Sequence, residues 1–157
     1  MRIPPLGPRG EGWTFTQVVL MLAITIAGVA GPAWPGDASL VRRGVGLLIA
    51  IGGQFLFIPG LVGLGQSLTP FPRPLERGRL EVGGVYRRVR HPIYGGLMLI
   101  ALGWSVITSP LALVFTFVLV LLLEVKSRLE ESMLVQRFPE YDAYRVRVRW
   151  RFVPGVH

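Results

Sequence analysis

The sequence has 157 residues, of which 51% are hydrophobic, with a net charge of +8 and no cysteine. Its mean hydropathy of +0.51 is too high for an ordinary soluble domain of this length, and the lack of cysteine excludes disulfides, zinc–thiolate sites and iron–sulfur clusters. The length favours one domain, residues 1–157, and the positive charge on so apolar a chain indicates contact with anionic membrane lipids rather than with nucleic acid.

Charged residues are absent from three long segments, residues 12–36, 44–72 and 92–123. Buried helices of soluble proteins usually keep a polar face, which these segments lack, whereas a helix that crosses a bilayer needs about 20 mostly apolar residues. The pattern therefore predicts an all-α integral membrane protein with about four transmembrane helices, a cytoplasmic helical extension and a tail.

The first two predicted membrane helices, residues 13–31 and 45–64, lie within residues 1–66. A secretory signal peptide is the alternative for the first helix, because "VVLMLAITIAGVA" is an apolar segment that ends in small residues. Prolines before this segment and further apolar segments after it favour a helix that is retained. Glycine and proline are tolerated in membrane helices, and those of the second helix are expected to leave a lateral gap at Gly60 or Gly63 for a lipid-like ligand.

Residues 67–91 form a polar connection that begins with alternating prolines, which favour an extended chain. This connection and the tail are rich in arginine, whereas the turn at residues 108–110 has no charge. Because arginine accumulates in the cytoplasmic loops of membrane proteins, the connection and the tail are expected on the cytoplasmic side of a multi-pass protein. Arg42 and Arg43 then fall on the opposite side, against this rule.

Residues 92–123 are too long for one ordinary span, and "TSP" at residues 108–110 breaks them into two short helices, residues 92–107 and 111–123. "EVKSRLEESMLVQRF" keeps the helical pattern while it gains charge, so the fourth helix is expected to continue into water and to end at Pro139. The later "RVRVRWRF" alternates basic and apolar residues, which predicts an extended or irregular segment on the membrane surface.

The start of the third helix, "RRVRHPIYGG", carries dense positive charge. Proline is suited to a first helical position, and the free backbone N–H groups that follow it can bind a carboxylate or phosphate at the positive end of the helix dipole. Glycine there would let a ligand or another helix approach the backbone closely. The alternative is that arginines at a membrane boundary only set the topology. The candidate anion site comprises Arg90, His91, Pro92, Ile93, Tyr94 and Gly95.

Carboxylates follow the fourth predicted span. Glu124, Arg128 and Glu131 are spaced i, i+4 and i+7, so they share one helical face and can pair, while Glu130 points about a quarter-turn away. Because the hairpin folds back, Glu130 and Glu131 are expected at the same membrane face as His91. Carboxylates beside an anion-binding helix start suit a ligand with both charges, such as an amino-acid headgroup. A solvated helix with intrahelical ion pairs is the alternative.

Tyr141 and Tyr144 are spaced i, i+3 in the tail. They could stack on a flat ring or a cation, or they could anchor the tail in the membrane interface, where tyrosine is enriched. His91 and His157 are the only histidines, and with no cysteine this disfavours a haem or metal carrier. We therefore expect neither a metal nor a nucleic-acid partner.

Three segments, "TPFPRP", "GGVYRRVRHPIYGG" and "EESMLVQRFPEYDAYRVRVRWRFVP", closely resemble the isoprenylcysteine carboxyl methyltransferase family. The related phospholipid N-methyltransferases share this layout, and the resemblance covers roughly residues 68–154. The specific combination is an R-H-P-x-Y helix start, a hairpin of two spans, a paired glutamate and F-P-E-Y-x-x-Y; Pro139 stands where many members have glycine. The resemblance implies an integral membrane enzyme whose S-adenosylmethionine site is built by residues 92–157.

The resemblance also implies roles for individual residues. We expect His91 and Glu131 to be catalytic, the helix start at residues 90–94 to hold the methionine carboxylate, and Glu131, with Glu130, to hold the α-ammonium. The tyrosines would wall the adenosine or the sulfonium. The methyl acceptor is expected to be an amphiphile such as an isoprenylcysteine-like carboxylate; a phospholipid amine, or a non-enzymatic membrane scaffold, is the alternative. The residues that match the family's motifs are Arg90, His91, Pro92, Tyr94, Glu130, Glu131, Tyr141 and Tyr144.

Overall fold

The computed structural model describes residues 3–4, 6–36 and 39–156. In this part of the chain, β-structure is limited to one isolated bridge between Val89 and Trp150, so the predicted all-α class is confirmed. The helices are α1 (Glu11–Ala30), α2 (Ser39–Leu64), α3 (Pro92–Thr108), α4 (Pro110–Arg137) and α5 (Tyr141–Arg147), with short 3-10 turns at Gly65–Ser67 and Gly84–Arg87.

Three helices of the described ranges are long and apolar enough to cross a membrane, namely α1, α4 and the continuous helix Ser39–Ser67. The remaining long helix, α3, has 17 residues and is a shorter apolar helix. The predicted short fourth span and its extension form one uninterrupted helix of 28 residues, which is about 42 Å long at the usual helical rise. Strong helix formers on both sides of Glu124 explain why the helix continues where the charge begins.

The four long helices form an antiparallel bundle in which α3 packs against α2 and α4, and α4 packs against α1. At one end, the hydroxyl of Thr14 near the start of α1 donates to the carbonyl of Pro70 after α2, at 2.7 Å. At the other end, the indole of Trp34 after α1 donates to the carbonyl of Ser105 in α3, at 3.0 Å. These contacts tie α1 into the bundle at both of its ends.

Helices α2 and α3 meet through glycine. Gly46, Gly53 and Gly60 are the buried residues of α2, at seven-residue intervals. A Cβ atom at Gly53 would lie 2.8 Å from the carbonyl oxygen of Gly96, and one at Gly60 would lie 2.8 Å from Cγ1 of Ile93. Small residues let membrane helices approach closely, so this interface is closed. Gly60 therefore packs against α3 and Gly63 lies against the ring of Tyr86, so neither glycine borders the lateral gap that the sequence predicts there.

The break between α3 and α4 lies at Ser109, as the sequence predicts. Its side-chain oxygen accepts a hydrogen bond from the backbone N–H of Leu111 at 3.2 Å, and Pro110 occupies the first position of α4. Serine as a cap followed by proline starts a helix because the cap oxygen satisfies an N–H group that has no intrahelical partner, and proline has no N–H to satisfy. The hairpin therefore returns α4 to the end of the bundle where α3 begins.

The tail begins as a helix, whereas the sequence pattern predicts an extended or irregular segment from Arg145. Tyr141, Tyr144 and Val148 are buried at i, i+3 and i+7. This helical period outweighs the alternation of arginine and valine, and α5 continues to Arg147.

After α5, the chain docks against the residues that precede α3. The backbone N–H groups of Arg90 and His91 donate to the carbonyls of Trp150 (3.0 Å) and Arg151 (2.8 Å). The position of this segment on the membrane surface stays a prediction, whereas its docking against the protein is observed. The tail thereby closes the end of the bundle at which α3 starts.

Candidate active site

A cavity of about 420 Å³ lies at the end of the bundle where α3 begins. All four long helices, the connection between α2 and α3, and α5 contribute to its wall. One part of the lining is apolar, with side chains that include Val18, Met21, Phe57, Leu61 and Leu97.

The cavity brings together most of the predicted site residues, which come from three separate parts of the chain. The predicted residues that line it are Arg90, His91, Ile93, Tyr94, Glu130, Tyr141 and Tyr144. The other predicted residues, Pro92, Gly95 and Glu131, lie outside its lining.

One polar wall of the cavity is formed by His91, Tyr94 and Glu130. The Tyr94 hydroxyl donates to Oε2 of Glu130 at 2.8 Å. The rings of His91 and Tyr94 stack in parallel, with centroids 5.5 Å apart and an interplanar angle of 2°. Nδ1 of His91 lies 3.9 Å from Oε2 of Glu130, whose side chain is 26% exposed. Glu130 therefore presents a carboxylate to the cavity that a ligand can reach.

Glu131 is turned away from the cavity and is enclosed by cations. Its Oε1 accepts hydrogen bonds from Nε of Arg90 at 2.9 Å and from Nε2 of His91 at 3.1 Å, and Nε of Arg151 lies 3.5 Å away. The bond to an ionised carboxylate assigns a proton to Nε2 of His91, which leaves Nδ1 as the ring nitrogen nearer Glu130. The expected contact of Glu131 with a ligand ammonium does not follow from this geometry, because its partners are residues of the protein.

Arg90 fastens the tail. Besides its bond to Glu131, its Nη1 donates to the carbonyls of Val148 (2.6 Å) and Arg149 (2.9 Å). These charge-assisted bonds hold the segment after α5 against the start of α3. Most of the guanidinium is thus directed at protein atoms, although Arg90 also contributes to the lining of the cavity.

Gly95 leaves the space in which the tail packs against α3. A Cβ atom there would collide with the backbone carbonyl of Phe152. The expectation that Gly95 lets a ligand approach the helix is therefore wrong, because the tail occupies that space. Pro92 begins α3 as predicted, with His91 at its cap position, and both residues are buried.

The two tail tyrosines are buried side by side, with ring centroids 5.6 Å apart. The Tyr144 hydroxyl donates to the carbonyl of Tyr86 at 2.7 Å, and the Tyr86 hydroxyl donates to the carbonyl of Gly60 at 3.0 Å. These bonds join α5 to the segment between α2 and α3, and they join that segment to α2. Burial raises the pKa of Tyr144 to about 12 and also raises the pKa of Tyr141 and Tyr86, so all three hydroxyls are neutral at physiological pH.

The charge pairing predicted along α4 is confirmed in part. Glu124 pairs with Arg128 at 2.7 Å, one helical turn apart. Glu124 also pairs with Arg151 of the tail at 2.5 Å. Glu131, the third member of the predicted face, pairs with Arg90 instead. The pair of Glu124 and Arg151 ties the tail to α4 directly. The pair of Glu131 and Arg90 does so through the bond that Arg90 donates to the tail.

Lys126 is a cavity residue that the sequence interpretation missed. Its side chain is 1% exposed, and Nζ donates to Oε1 of Gln17 (2.7 Å), the carbonyl of Pro70 (3.1 Å) and the hydroxyl of Thr14 (3.3 Å). Nζ also lies 5.3 Å from the centre of the Tyr94 ring. A signal was present, because Lys126 is the only lysine among 17 basic residues and lies one helical turn before Glu130.

The chain is similar to known proteins by two comparisons. Two rice proteins, from Oryza sativa subsp. indica and subsp. japonica, are each named "Probable protein-S-isoprenylcysteine O-methyltransferase" and are 36% identical to the chain over 109 residues. The alignment covers 66% of this chain and 57% of each relative, so the chain spans little more than half the length of these relatives. The family described as phospholipid methyltransferase matches residues 41–141, from α2 to the first residue of α5. This match covers more than half of the sequence, and the chain belongs to the phospholipid methyltransferase family.

Proposed function

We propose that the protein is a membrane methyltransferase that uses S-adenosylmethionine and acts on an amphiphilic acceptor. The observation that carries this proposal is a single cavity with two kinds of wall. His91, Tyr94 and Glu130 supply polar groups, and apolar side chains such as Phe57 and Leu97 extend the cavity between the helices. Family membership supports the reaction class.

The cavity fits the chemical groups of S-adenosylmethionine, which carries an ammonium, a carboxylate, a sulfonium and an adenine ring. Glu130 would hold the ammonium, since its carboxylate is reachable from the cavity. The backbone N–H groups of Ile93 and Tyr94, in the first turn of α3, would hold the carboxylate, because first-turn N–H groups lack intrahelical acceptors. The neutral rings of Tyr141 and Tyr144 would lie against the adenine or the sulfonium. When bound, S-adenosylmethionine supplies an electrophilic methyl group.

Glu131 and Arg90 then act by positioning. Glu131 fixes the ring of His91 and neutralises Arg90, while Arg90 holds the tail in place. The catalytic role expected for Glu131 passes to Glu130, which faces the cavity. In this assignment Glu130 recognises the ligand and Glu131 supports the wall of the cavity, although the two glutamates are adjacent in the sequence.

The residues of the cavity can support methyl transfer mainly by orientation and by exclusion of water. Orientation of two reactants and a dry site lower the barrier without proton transfer when the nucleophile is already ionised. A carboxylate acceptor meets that condition. An amine acceptor must lose a proton, and Nδ1 of His91 or the carboxylate of Glu130 would accept it.

The acceptor is proposed to be an amphiphile with a carboxylate like that of an isoprenylcysteine. The names of the rice relatives favour this acceptor. The description of the matching family favours a phospholipid amine as the second candidate. In both cases the apolar wall from α1, α2 and α3 would receive the chain of the acceptor.

We also propose that the cavity faces the cytoplasm. The arginine-rich connection and the tail both adjoin the end of the bundle that holds the cavity, and basic segments are retained on the cytoplasmic side. A reporter inserted at Ser109 should then lie on the opposite side of the membrane. A cytoplasmic reporter at Ser109 would contradict this orientation.

The proposal is tested by titrating the purified protein in detergent with S-adenosylmethionine, using calorimetry. A methyl-transfer assay then compares lipidated thioether carboxylates with aminolipids of the same chain length. We expect saturable cofactor binding and turnover of one acceptor class. A folded protein that binds no S-adenosylmethionine would support a non-enzymatic scaffold and reject the methyltransferase.

A further inference from the structure

Lys126 carries a buried positive charge that has only neutral partners. Its three hydrogen-bond acceptors are an amide, a carbonyl and a hydroxyl, which belong to Gln17, Pro70 and Thr14. Within residues 3–4, 6–36 and 39–156, no carboxylate lies within ion-pair distance of its ammonium group. An ammonium removed from water is strongly unfavourable unless an anion or a comparable set of acceptors compensates it.

The other charged residues beside the polar wall are already engaged, whereas Arg79 and Glu81 line the cavity from the connection between α2 and α3. Arg90, the other basic residue beside the polar wall, pairs with Glu131 at 2.9 Å. Glu130, one turn along α4 from Lys126, accepts the hydroxyl of Tyr94 and is proposed to hold the cofactor ammonium. Lys126 is therefore a buried cation of the cavity that has no carboxylate partner in the described part of the chain, and its charge remains available to a ligand.

The position of Lys126 on α4 places it where the polar wall meets the apolar wall. It lies one helical turn from Glu130, in the direction of the apolar body of the helix. Gln17, which it contacts, is followed on α1 by the cavity residues Val18 and Met21. An amphiphile whose chain lies along these apolar residues would present its headgroup to Lys126.

We propose that Lys126 forms the subsite for the anionic headgroup, a carboxylate or a phosphate, of an amphiphilic acceptor. The inference rests on the proposed methyltransferase function and names the charge of its acceptor. An anionic oxygen would replace the Thr14 hydroxyl, the longest of the three contacts of Nζ. Thr14 loses little by this exchange, because its own hydroxyl keeps the 2.7 Å bond to Pro70.

The test uses two variants that remove the free charge in different ways. Lys126→Gln removes the ammonium, and Lys126→Arg keeps a cation as the matched control. Gln17→Glu keeps the shape of the side chain that contacts Nζ at 2.7 Å but supplies an internal carboxylate that neutralises it. Gln17→Glu therefore tests the charge even if Lys126→Gln fails to fold.

The ligands are an alkylthioacetate, its methyl ester and an alkyl phosphate with the same chain, each titrated by calorimetry in detergent. The wild-type protein should bind one or both anions about tenfold or more tightly than the ester, as expected for a charge-assisted contact. Lys126→Gln and Gln17→Glu should lose this preference, and Lys126→Arg should keep most of it. Affinity for the neutral ester should stay the same in all four proteins, which a purely structural role of Lys126 would not produce.

S-adenosylmethionine is titrated in parallel, because its own carboxylate is the other possible anion. Loss of cofactor affinity in Lys126→Gln, with unchanged amphiphile binding, would assign Lys126 to the cofactor and overturn the proposal. Equal wild-type affinity for the anions and the ester would also overturn it, even if the protein is a methyltransferase. A Lys126-dependent preference for anions without any cofactor binding would instead reject the methyltransferase and leave an anion-selective amphiphile site. In the methyl-transfer assay, Lys126→Gln should raise KM for an anionic acceptor and leave kcat nearly unchanged.

Discussion

Glu131 of α4 accepts hydrogen bonds from both Arg90 and His91, the two residues that directly precede α3, at 2.9 and 3.1 Å. Arg90 in turn donates to the carbonyls of Val148 and Arg149. One carboxylate therefore joins α4, the start of α3 and the tail. Its neighbour Glu130 faces the cavity, so two adjacent glutamates have different environments and are expected to respond differently to the same substitution.

Glu130→Gln should weaken S-adenosylmethionine binding without affecting folding. The substitution keeps the acceptor for the Tyr94 hydroxyl but removes the charge proposed to face the ammonium. Loss of a charge-assisted bond costs about 1.5–3 kcal/mol, or about tenfold or more in affinity. Calorimetric titration measures the effect, with Asp142→Asn, at an exposed ion pair outside the cavity, as the control. Unchanged affinity in Glu130→Gln would remove Glu130 from the cofactor site.

Glu131→Gln should lower the stability of the protein. The variant leaves the buried guanidinium of Arg90 without its counter-ion, and removal of one partner of a buried pair costs about 3 kcal/mol or more. Thermal unfolding in detergent, followed by tryptophan fluorescence, measures the loss against the same Asp142→Asn control. A variant with wild-type unfolding temperature but weakened cofactor binding would show that Glu131 acts as a ligand-binding group after all.

Gly53→Ala should destabilise the bundle, whereas Gly52→Ala should not. A Cβ atom at Gly53 would lie 2.8 Å from the carbonyl oxygen of Gly96, so α2 and α3 would have to separate. A Cβ atom at Gly52 would meet nothing within 4 Å. Both residues lie in the same turn of α2, so the pair controls for helix propensity. Equal unfolding temperatures of the two variants would contradict the close approach of α2 and α3.

Tyr144 should make the protein sensitive to alkaline pH. Burial raises its pKa from 10.0 to about 12, so the folded protein favours the neutral hydroxyl. The contribution to stability is complete below about pH 10, where the unfolded chain ionises, and is lost as the pH rises through about 12. The unfolding temperature of the wild type should therefore fall across this window.

The matched variant is Tyr144→Phe. It should be less stable than the wild type near neutral pH, because it lacks the hydrogen bond to the carbonyl of Tyr86. It should also lose less stability between about pH 10 and 12, since it has one fewer group to ionise. Parallel pH profiles of the two proteins would show that ionisation of Tyr144 is not coupled to unfolding.

Methylation efficiency should rise steeply with the length of the acceptor chain. The apolar wall of the cavity, which includes Phe57, Leu61 and Leu97, would bury the chain. Each buried methylene contributes about 0.8 kcal/mol, or about fourfold in kcat/KM. A homologous series of thioether carboxylates measures the slope, and cofactor titrations run beside it should show no dependence on chain length. Equal turnover of short, water-soluble acceptors would contradict binding along this wall.

Much of the helical framework could be predicted because its signals are local. The uncharged segments predict the helices, Ser109 and Pro110 mark the hairpin, and Pro92 marks the start of α3. The spacing of Tyr141 and Tyr144 is also local, but the alternation of arginine and valine after them conceals the helical period of α5. Local patterns compete in such a segment, and burial of the tyrosines decides between them.

The details of the site depend on contacts between distant residues and could not be predicted in the same way. The sequence places Glu130 and Glu131 near His91 but does not tell which carboxylate faces the cavity, because that depends on how α4 is rotated against its neighbours. Lys126 is oriented by Gln17 and by a carbonyl of the connection, 109 and 56 residues away in the chain. The role of Gly95 follows from the path of the tail, which no local pattern indicates.

The docking of residues 148–152 against the start of α3 has a consequence for biosynthesis. Helices α1 to α4 precede this segment in the chain, so the ribosome completes them before it supplies the tail. The newly inserted bundle must therefore pass through a stage in which its cavity is open at one end. The affinity for ligands that depends on the closed wall can arise only after residues 148–152 have emerged, so completion of this wall follows the synthesis of the four long helices.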